Sequence, residues 1–397
     1  MENLKNLLLG TGLGVLALAS CNGGKEAANL TVSGLNPAAF DTTLNEKKVE
    51  LVTLKNNNGM EVCLTNYGGR VVSIIVPDKD GKPTDVVLGY DNIRQYTDTL
   101  NSPSDYGSSV GRYANRIKDA KITVDGQEYK LRANDNENCL HGGGNTGWMN
   151  KVYDIQVKTD SSVTFAIEAA DGENGFPGNV KATATYLVKS DNTLDIQFGA
   201  TTDKETVINM TNHCYFNLGG DLSKKAIDHV MYINADKFTP SDAKYIPTGE
   251  IKDVTGTPMD FREERALEET INDTTFEQIK NATGYDHNWC LNTYKDGKGD
   301  DTQVAASLFS PTTGIFLEVF TNEPGLQVYT GNFQGTDIPG KHGVLYPKHV
   351  SVCFESQKFP DSPTKYVAKT PGWEVSNPYL TPGETYSSHL VYKFSVK

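Results

Sequence analysis

From residue 47 onward, apolar and polar positions alternate in short runs broken by turn residues. Residues 49–54 (VELVTL) and 59–66 (GMEVCLTN) read as successive strands joined by an Asn-rich turn that ends in Gly59. The run 71–76 (VVSIIV) stops at Pro77, and Asp78-Lys79-Asp80-Gly81 is a turn. Residues 122–131 predict a hairpin closed by Asp125-Gly126, a dipeptide suited to the left-handed backbone of a tight two-residue loop. The same period recurs at 152–158, 163–169, 180–188, 193–200, 315–321, 326–330, 350–355 and 389–396. Helical periodicity is confined to pieces near 92–97, 262–270 and 274–280. Many short strands with Gly and Pro punctuation predict an all-β chain, built as one large antiparallel β-sandwich or barrel.

The N-terminus departs from this pattern. Lys5 precedes an apolar run from Leu7 to Leu18, which closes with Leu18-Ala19-Ser20-Cys21. Short apolar length and small residues before a cysteine suit a bacterial lipoprotein signal peptide, with Cys21 as the lipid-bearing residue. Residues 1–20 are therefore expected to be a signal peptide and residues 21–46 a flexible tether, leaving 47–397 as a single β domain. The tether would place the domain at the cell envelope, facing the periplasm, with the lipid as its only membrane contact.

Composition narrows the partner. The 397 residues are 37% hydrophobic and 22% charged, with ample material for a core. The net charge of -13 disfavours nucleic acid, which needs clustered Lys and Arg, and a neutral small molecule fits better. Apart from Cys21, the cysteines are Cys63, Cys139, Cys214, Cys290 and Cys353. Their odd number, irregular spacing and lack of a CxxC pair suit neither a disulfide framework nor a thiolate zinc site, so they are expected to be buried fillers. No phosphate loop or dinucleotide fingerprint is present.

Polar residues concentrate in a few segments: GRYANRI (111–117), LHGG (140–143), TNHCYFNL (211–218), GYDHN (284–288), PGLQVYTGNF (324–333) and ESQKFPD (355–361). Together they offer histidines, carboxylates, Arg116, Gln327 and aromatic rings. Aromatic faces can stack on a pyranose while Asn, Asp, Arg and Gln satisfy its hydroxyls, and a His with a Glu can move protons. On residue type alone, His213 beside Tyr215 and Phe216 equally suits a core histidine. Glu355 suits a solvated strand end, His141 and Asn115 suit turn positions, and Gln327 could simply pair with backbone. Arg116 and Asp286 could form a structural ion pair.

With GFPGN (175–179) and YPKH (346–349) added, these segments occur in the order and approximate spacing of the aldose 1-epimerase (galactose mutarotase) family, which residues 47–397 resemble. The resemblance implies a galactose mutarotase-like supersandwich with a sugar cleft on one sheet face. It implies His213 as general acid and Glu355 as general base, with Asn115, Arg116, His141, Tyr215, Asp286 and Gln327 binding sugar. The implied activity interconverts α- and β-anomers of free aldohexoses such as glucose and galactose, with a monomer as the default state. Proton transfer alone requires no organic cofactor and no catalytic metal; a calcium ion, if bound, would be structural. Three other readings compete: a non-catalytic sugar-binding lipoprotein of the same fold, an epimerase of phosphorylated sugars, and a glycoside hydrolase. The second would need further cleft cations, and the third generally uses two carboxylates.

Overall fold

The computed structural model describes residues 30–102, 104–335 and 337–397. The expected signal peptide and Cys21 lie outside these residues. Among the described residues, no helix is long and apolar enough to cross a membrane.

Two antiparallel sheets carry the domain. The larger has nine strands, in the order Asp154–Lys158, Ser162–Ala169, Val180–Val188, Thr193–Thr202, Tyr386–Val396, Ile315–Thr321, Ala306–Phe309, Val230–Ile233 and Arg265–Ala266. The second has six, in the order Tyr215–Phe216, Val352–Gln357, Gly325–Tyr329, Asp286–Cys290, Lys237–Thr239 and Lys252–Asp253. A four-stranded sheet from Leu51 to Asp85 packs beside them.

Alternation explains the layering. In Val180–Val188 every second residue (Val180, Ala182, Ala184, Tyr186, Val188) is buried, while Lys181, Thr183 and Thr185 face outward. In the six-stranded sheet both faces are covered. Val352 and Phe354 enter the main core with Val328 and Trp289, whereas Cys353, Glu355 and Gln357 alternate to the other face. Across the sandwich, the Phe216 and Tyr392 rings meet edge to face at 4.8 Å, and the Tyr392 hydroxyl donates to the Phe354 carbonyl (3.0 Å). A fully buried aromatic of this kind contributes roughly 1.5–3 kcal/mol.

The hairpin closed by Asp125-Gly126 forms as expected, both residues taking positive φ, with Val124 opposite Gln127. The helix near 92–97 is Ile93–Thr97, capped by the Asn92 side chain, and the one near 274–280 is Glu277–Ala282. The segment 262–270 is different: it forms an edge strand, Arg265–Ala266, and one 3-10 turn, Leu267–Glu269, because only Leu267 has a core to enter. A third short helix, Ser362–Val367, begins with Pro363 in its first turn, a start signal the strand-dominated pattern obscured.

The tether boundary at 46 is corrected. Residues 31–46 belong to the fold: Leu35 and Phe40 are buried, Pro37–Ala39 forms a 3-10 turn, and Thr42–Leu44 pairs with Lys47–Val49. Two anchoring apolar residues among small polar ones leave no periodic trace, yet they complete the cluster around Tyr96 and Leu88. The five cysteines from Cys63 onward are free thiols, buried except for the partly exposed Cys290.

Candidate active site

The cleft, of about 330 Å³, lies over the face of the six-stranded sheet that carries Glu355. Asn115, Arg116, His141, His213, Tyr215, Asp286 and Glu355 all line it, joined by Asp105. A larger, more open hollow of about 890 Å³ between Lys237, Cys290, Tyr294 and Phe359 gathers no histidine among the described residues, so size alone does not mark the chemistry.

His213 sits on a loop locked at both ends. Its amide donates to the Ser108 carbonyl (3.0 Å) and its carbonyl accepts from Gly107 (2.8 Å). The buried Asn212 amide donates to the Gly107 carbonyl (2.9 Å) and accepts from the Cys214 amide (3.1 Å), which explains the polar residues around the histidine. The imidazole stacks on Tyr215 at 4.8 Å and 14° and meets His141 edge-on at 5.4 Å. Glu355 stands mid-strand opposite Gln327, only 2% exposed, with Oε2 unpartnered. Its Oε1 lies 3.5 Å from His213 Nε2, and the sidechain of Asp105 approaches the same nitrogen at 3.5 Å. Glu355 thus stands within its strand rather than at a solvated end.

The electrostatics follow from burial and company. Burial pushes the Glu355 carboxyl up to about 7, although the His213 imidazole pulls it down. Burial also opposes charge on His213, yet Glu355, Asp105 and Asp286 together outweigh it and leave the imidazole pKa raised. For Asp105, burial is again the largest influence and raises its pKa. His213, His141 and the Tyr215 hydroxyl, which donates to Oδ1 (2.6 Å), overcome it and leave the pKa lowered. Burial, then repulsion from His213, pushes His141 down to about 3, so that ring is neutral.

His141 stands in a turn at positive φ, followed by Gly142 at φ +69°. A Cβ on Gly142 would run into the Gly111 carbonyl oxygen, so the turn needs glycine. The Asn115 amide donates to His141 Nδ1 (3.1 Å), which fixes the proton of the neutral ring on Nε2. His141, His213 and Asp105 lie close enough to suggest a metal site. They do not fit one, because the free nitrogen of His141 presents a proton rather than a lone pair.

Arg116 does not pair with Asp286 through its Nε. That atom donates to Asp135 (2.7 Å), and the guanidinium lies over the Tyr245 ring at 4.7 Å. Its Nη atoms take no protein hydrogen bond in the described structure. Gln327 is absent from the cleft lining: its Nε2 donates to Asp286 Oδ1 (2.7 Å), making it a support for a lining carboxylate. Sequence reasoning missed Asp105 and Asp135. Both sit in loops of ordinary turn composition, and only their folded proximity to His213 and Arg116 distinguishes them.

Fold and cleft define a class: a large antiparallel β-sandwich with a histidine–carboxylate pair at the floor of a small polar cleft on one sheet. Within that class, the model of the aldose 1-epimerase family matches residues 50–393, and the chain belongs to that family, whose members are isomerases. The aldose 1-epimerase of Escherichia coli K12 is 38% identical over 345 residues, covering 87% of this chain and 94% of that protein. Human galactose mutarotase is 35% identical over 342 residues, covering 85% and 92%. Among solved structures, an aldose epimerase homologue from C. elegans superposes with a TM-score of 0.77 at 29% identity, covering 88% of this chain and 99% of that one.

Proposed function

We propose that the protein is an aldose 1-epimerase acting on free aldohexoses such as glucose and galactose. The observation that carries the reading is the buried His213–Glu355 pair, 3.5 Å apart at the cleft floor. Glu355, ionised, takes the O1 proton as the C1–O5 bond breaks. The bond's electron pair goes to O5, which receives the proton of His213 Nε2, and O1 becomes the aldehyde oxygen. Rotation about C1–C2 presents the other face. Closure reverses both transfers, so protons and electrons balance over the cycle without a cofactor. His141 Nε2–H, Asn115, the Arg116 Nη atoms and Asp286 bind hydroxyls, with Gln327 orienting Asp286. Among the described residues, Arg116 is the one Lys or Arg lining the cleft, and it is already partnered by Asp135, which favours a neutral sugar over a phosphorylated one. The names of the E. coli and mammalian relatives agree with this activity.

Polarimetry with α-glucose and α-galactose tests the assignment. Glu355→Gln and His213→Asn are each expected to lower kcat at least about 100-fold. A near-native rate in either variant removes that residue from its role, and saturable sugar binding without rate acceleration in the native protein reduces it to a binding lipoprotein.

We further propose lipidation at Cys21, on the strength of the Leu18-Ala19-Ser20-Cys21 sequence after a short apolar run. Cys21→Ala should abolish incorporation of labelled palmitate and release the protein from membranes; unchanged labelling would remove the anchor.

A further inference from the structure

Two carboxylates, rather than one, approach the nitrogen that is to donate the proton. Glu355 comes from the sheet and Asp105 from the loop before Gly107, each 3.5 Å from His213 Nε2. We propose that Asp105 is a positioning residue: with Glu355 it holds His213 between two carboxylates, so that the imidazole rather than Glu355 carries the proton the pair shares. This rests on the mutarotase reading of the site.

The geometry is built rather than incidental. Ser108 donates to the Asp105 carbonyl through both its amide (3.0 Å) and its hydroxyl (2.8 Å). The Ser108 carbonyl in turn accepts from the His213 amide (3.0 Å), so a single backbone ladder joins acid and histidine. Tyr215 stacks under the imidazole and its hydroxyl donates to Asp105 Oδ1 (2.6 Å), leaving Oδ2 to face Nε2. One residue thus orients both partners.

The need for a second carboxylate follows from desolvation. A buried Glu–His pair sharing one proton has two forms. The ion pair is competent, with base and acid each ready. The neutral pair has the protons in the wrong places, and burial favours it. The groups around His213 decide between them: Glu355, Asp286 and Asp105 favour imidazolium, while the neutral His141 and the Tyr215 and Tyr329 rings carry no charge. Arg116, paired with Asp135, is the foremost opposing charge on Asp286 and also favours ionisation of Glu355. Asp105 also disfavours Glu355 ionisation, but there it ranks behind His213 and Asp286. Its direct approach to the imidazole therefore tips the pair toward the ionic form. Asp105 takes no proton during the cycle, so in the open-chain state, with Glu355 protonated and His213 Nε2 bare, it remains a charge that favours return of the proton to the imidazole.

The test uses the full chain labelled with ¹⁵N-histidine, which has seven histidines, the His213 signal being assigned by comparison with His213→Asn. In the native protein at pH 7 the ring nitrogens should report imidazolium. In Asp105→Asn they should report a neutral ring at the same pH, and the ring should titrate at lower pH. The same variant should lower kcat about tenfold or more, change KM less than about threefold, and move the alkaline limb of the kcat profile to lower pH. Asp105→Glu, which restores a carboxylate, should recover most of both effects. A folded Asp105→Asn whose His213 titrates as in the native protein overturns the proposal. A rate loss that is equal at every pH and follows the loss of Tm also overturns it, since that marks a structural role. If the native protein proves inactive on aldoses, the histidine titration still decides the role of Asp105, so the two readings fail separately.

Discussion

At the scale of single residues, burial and nearby charges give two groups in the cleft proton affinities that neither would have in water. Glu355 is pushed up to about 7 by burial, and His213 is raised because nearby carboxylates outweigh its own burial. The two are coupled, so apparent pKa values belong to the pair. In the proposed mechanism, losing the pair's shared proton disarms the acid, while adding a second proton disarms the base. A plot of kcat/KM against pH should therefore be a bell with an acid limb near pH 7 and an alkaline limb above it. A flat profile between pH 5 and 8 would count against two-group catalysis. His141 contributes differently. Its depressed pKa keeps it a neutral donor through this range, so His141→Asn should raise KM while leaving both limbs in place.

At the scale of elements, the sequence made strands legible because alternation is local: the runs at 180–188 and 315–321 coincide with strands Val180–Val188 and Ile315–Thr321. Pairing order was not legible. Strand Thr193–Thr202 lies beside Tyr386–Val396, and nothing local in either encodes a partner nearly two hundred residues away. The site divides in the same way. His213 and Glu355 stand in distinctive motifs, whereas Asp105 gains its character only when its loop is laid against the loop that carries the histidine, and Gln327 shows its supporting role only through its contact with Asp286. The turn carrying His141 shows how an element fixes a residue. Gly142 combines a left-handed backbone with close approach to Gly111, so Gly142→Ala meets strain and collision together. Strain of this kind costs about 1–3 kcal/mol. The variant should lose that much in denaturant unfolding and should also show a raised KM as His141 shifts. Full stability with native KM would mean that the turn tolerates a side chain.

At the scale of the whole molecule, the nine-stranded sheet has its own charged network, none of whose residues lines the cleft. His389 on Tyr386–Val396 meets Asp195 on the neighbouring Thr193–Thr202 strand (3.1 Å) and Asp301 on a loop (2.7 Å), while Lys189 also reaches Asp195 (2.5 Å). The two aspartates, Asp195 foremost, outweigh the cost of burial and raise the His389 pKa above its ordinary value. Burial is the largest single influence on Asp195, but His389 and Lys189 prevail and bring it down to about 2. The signs then fix a window. A raised histidine pKa stabilises the fold fully below its unfolded value, about 6.5, and that contribution disappears as pH rises through the folded value. A lowered aspartate pKa stabilises above its unfolded value, about 3.9, and is lost as pH falls toward 2. The network thus supports the sheet most between about pH 4 and 6.5. His389→Asn removes the histidine component, so the difference in Tm between native protein and variant should be largest near pH 5.5 and shrink steadily toward pH 8.5. A difference that stays constant over that range would show that His389 acts by packing rather than by charge.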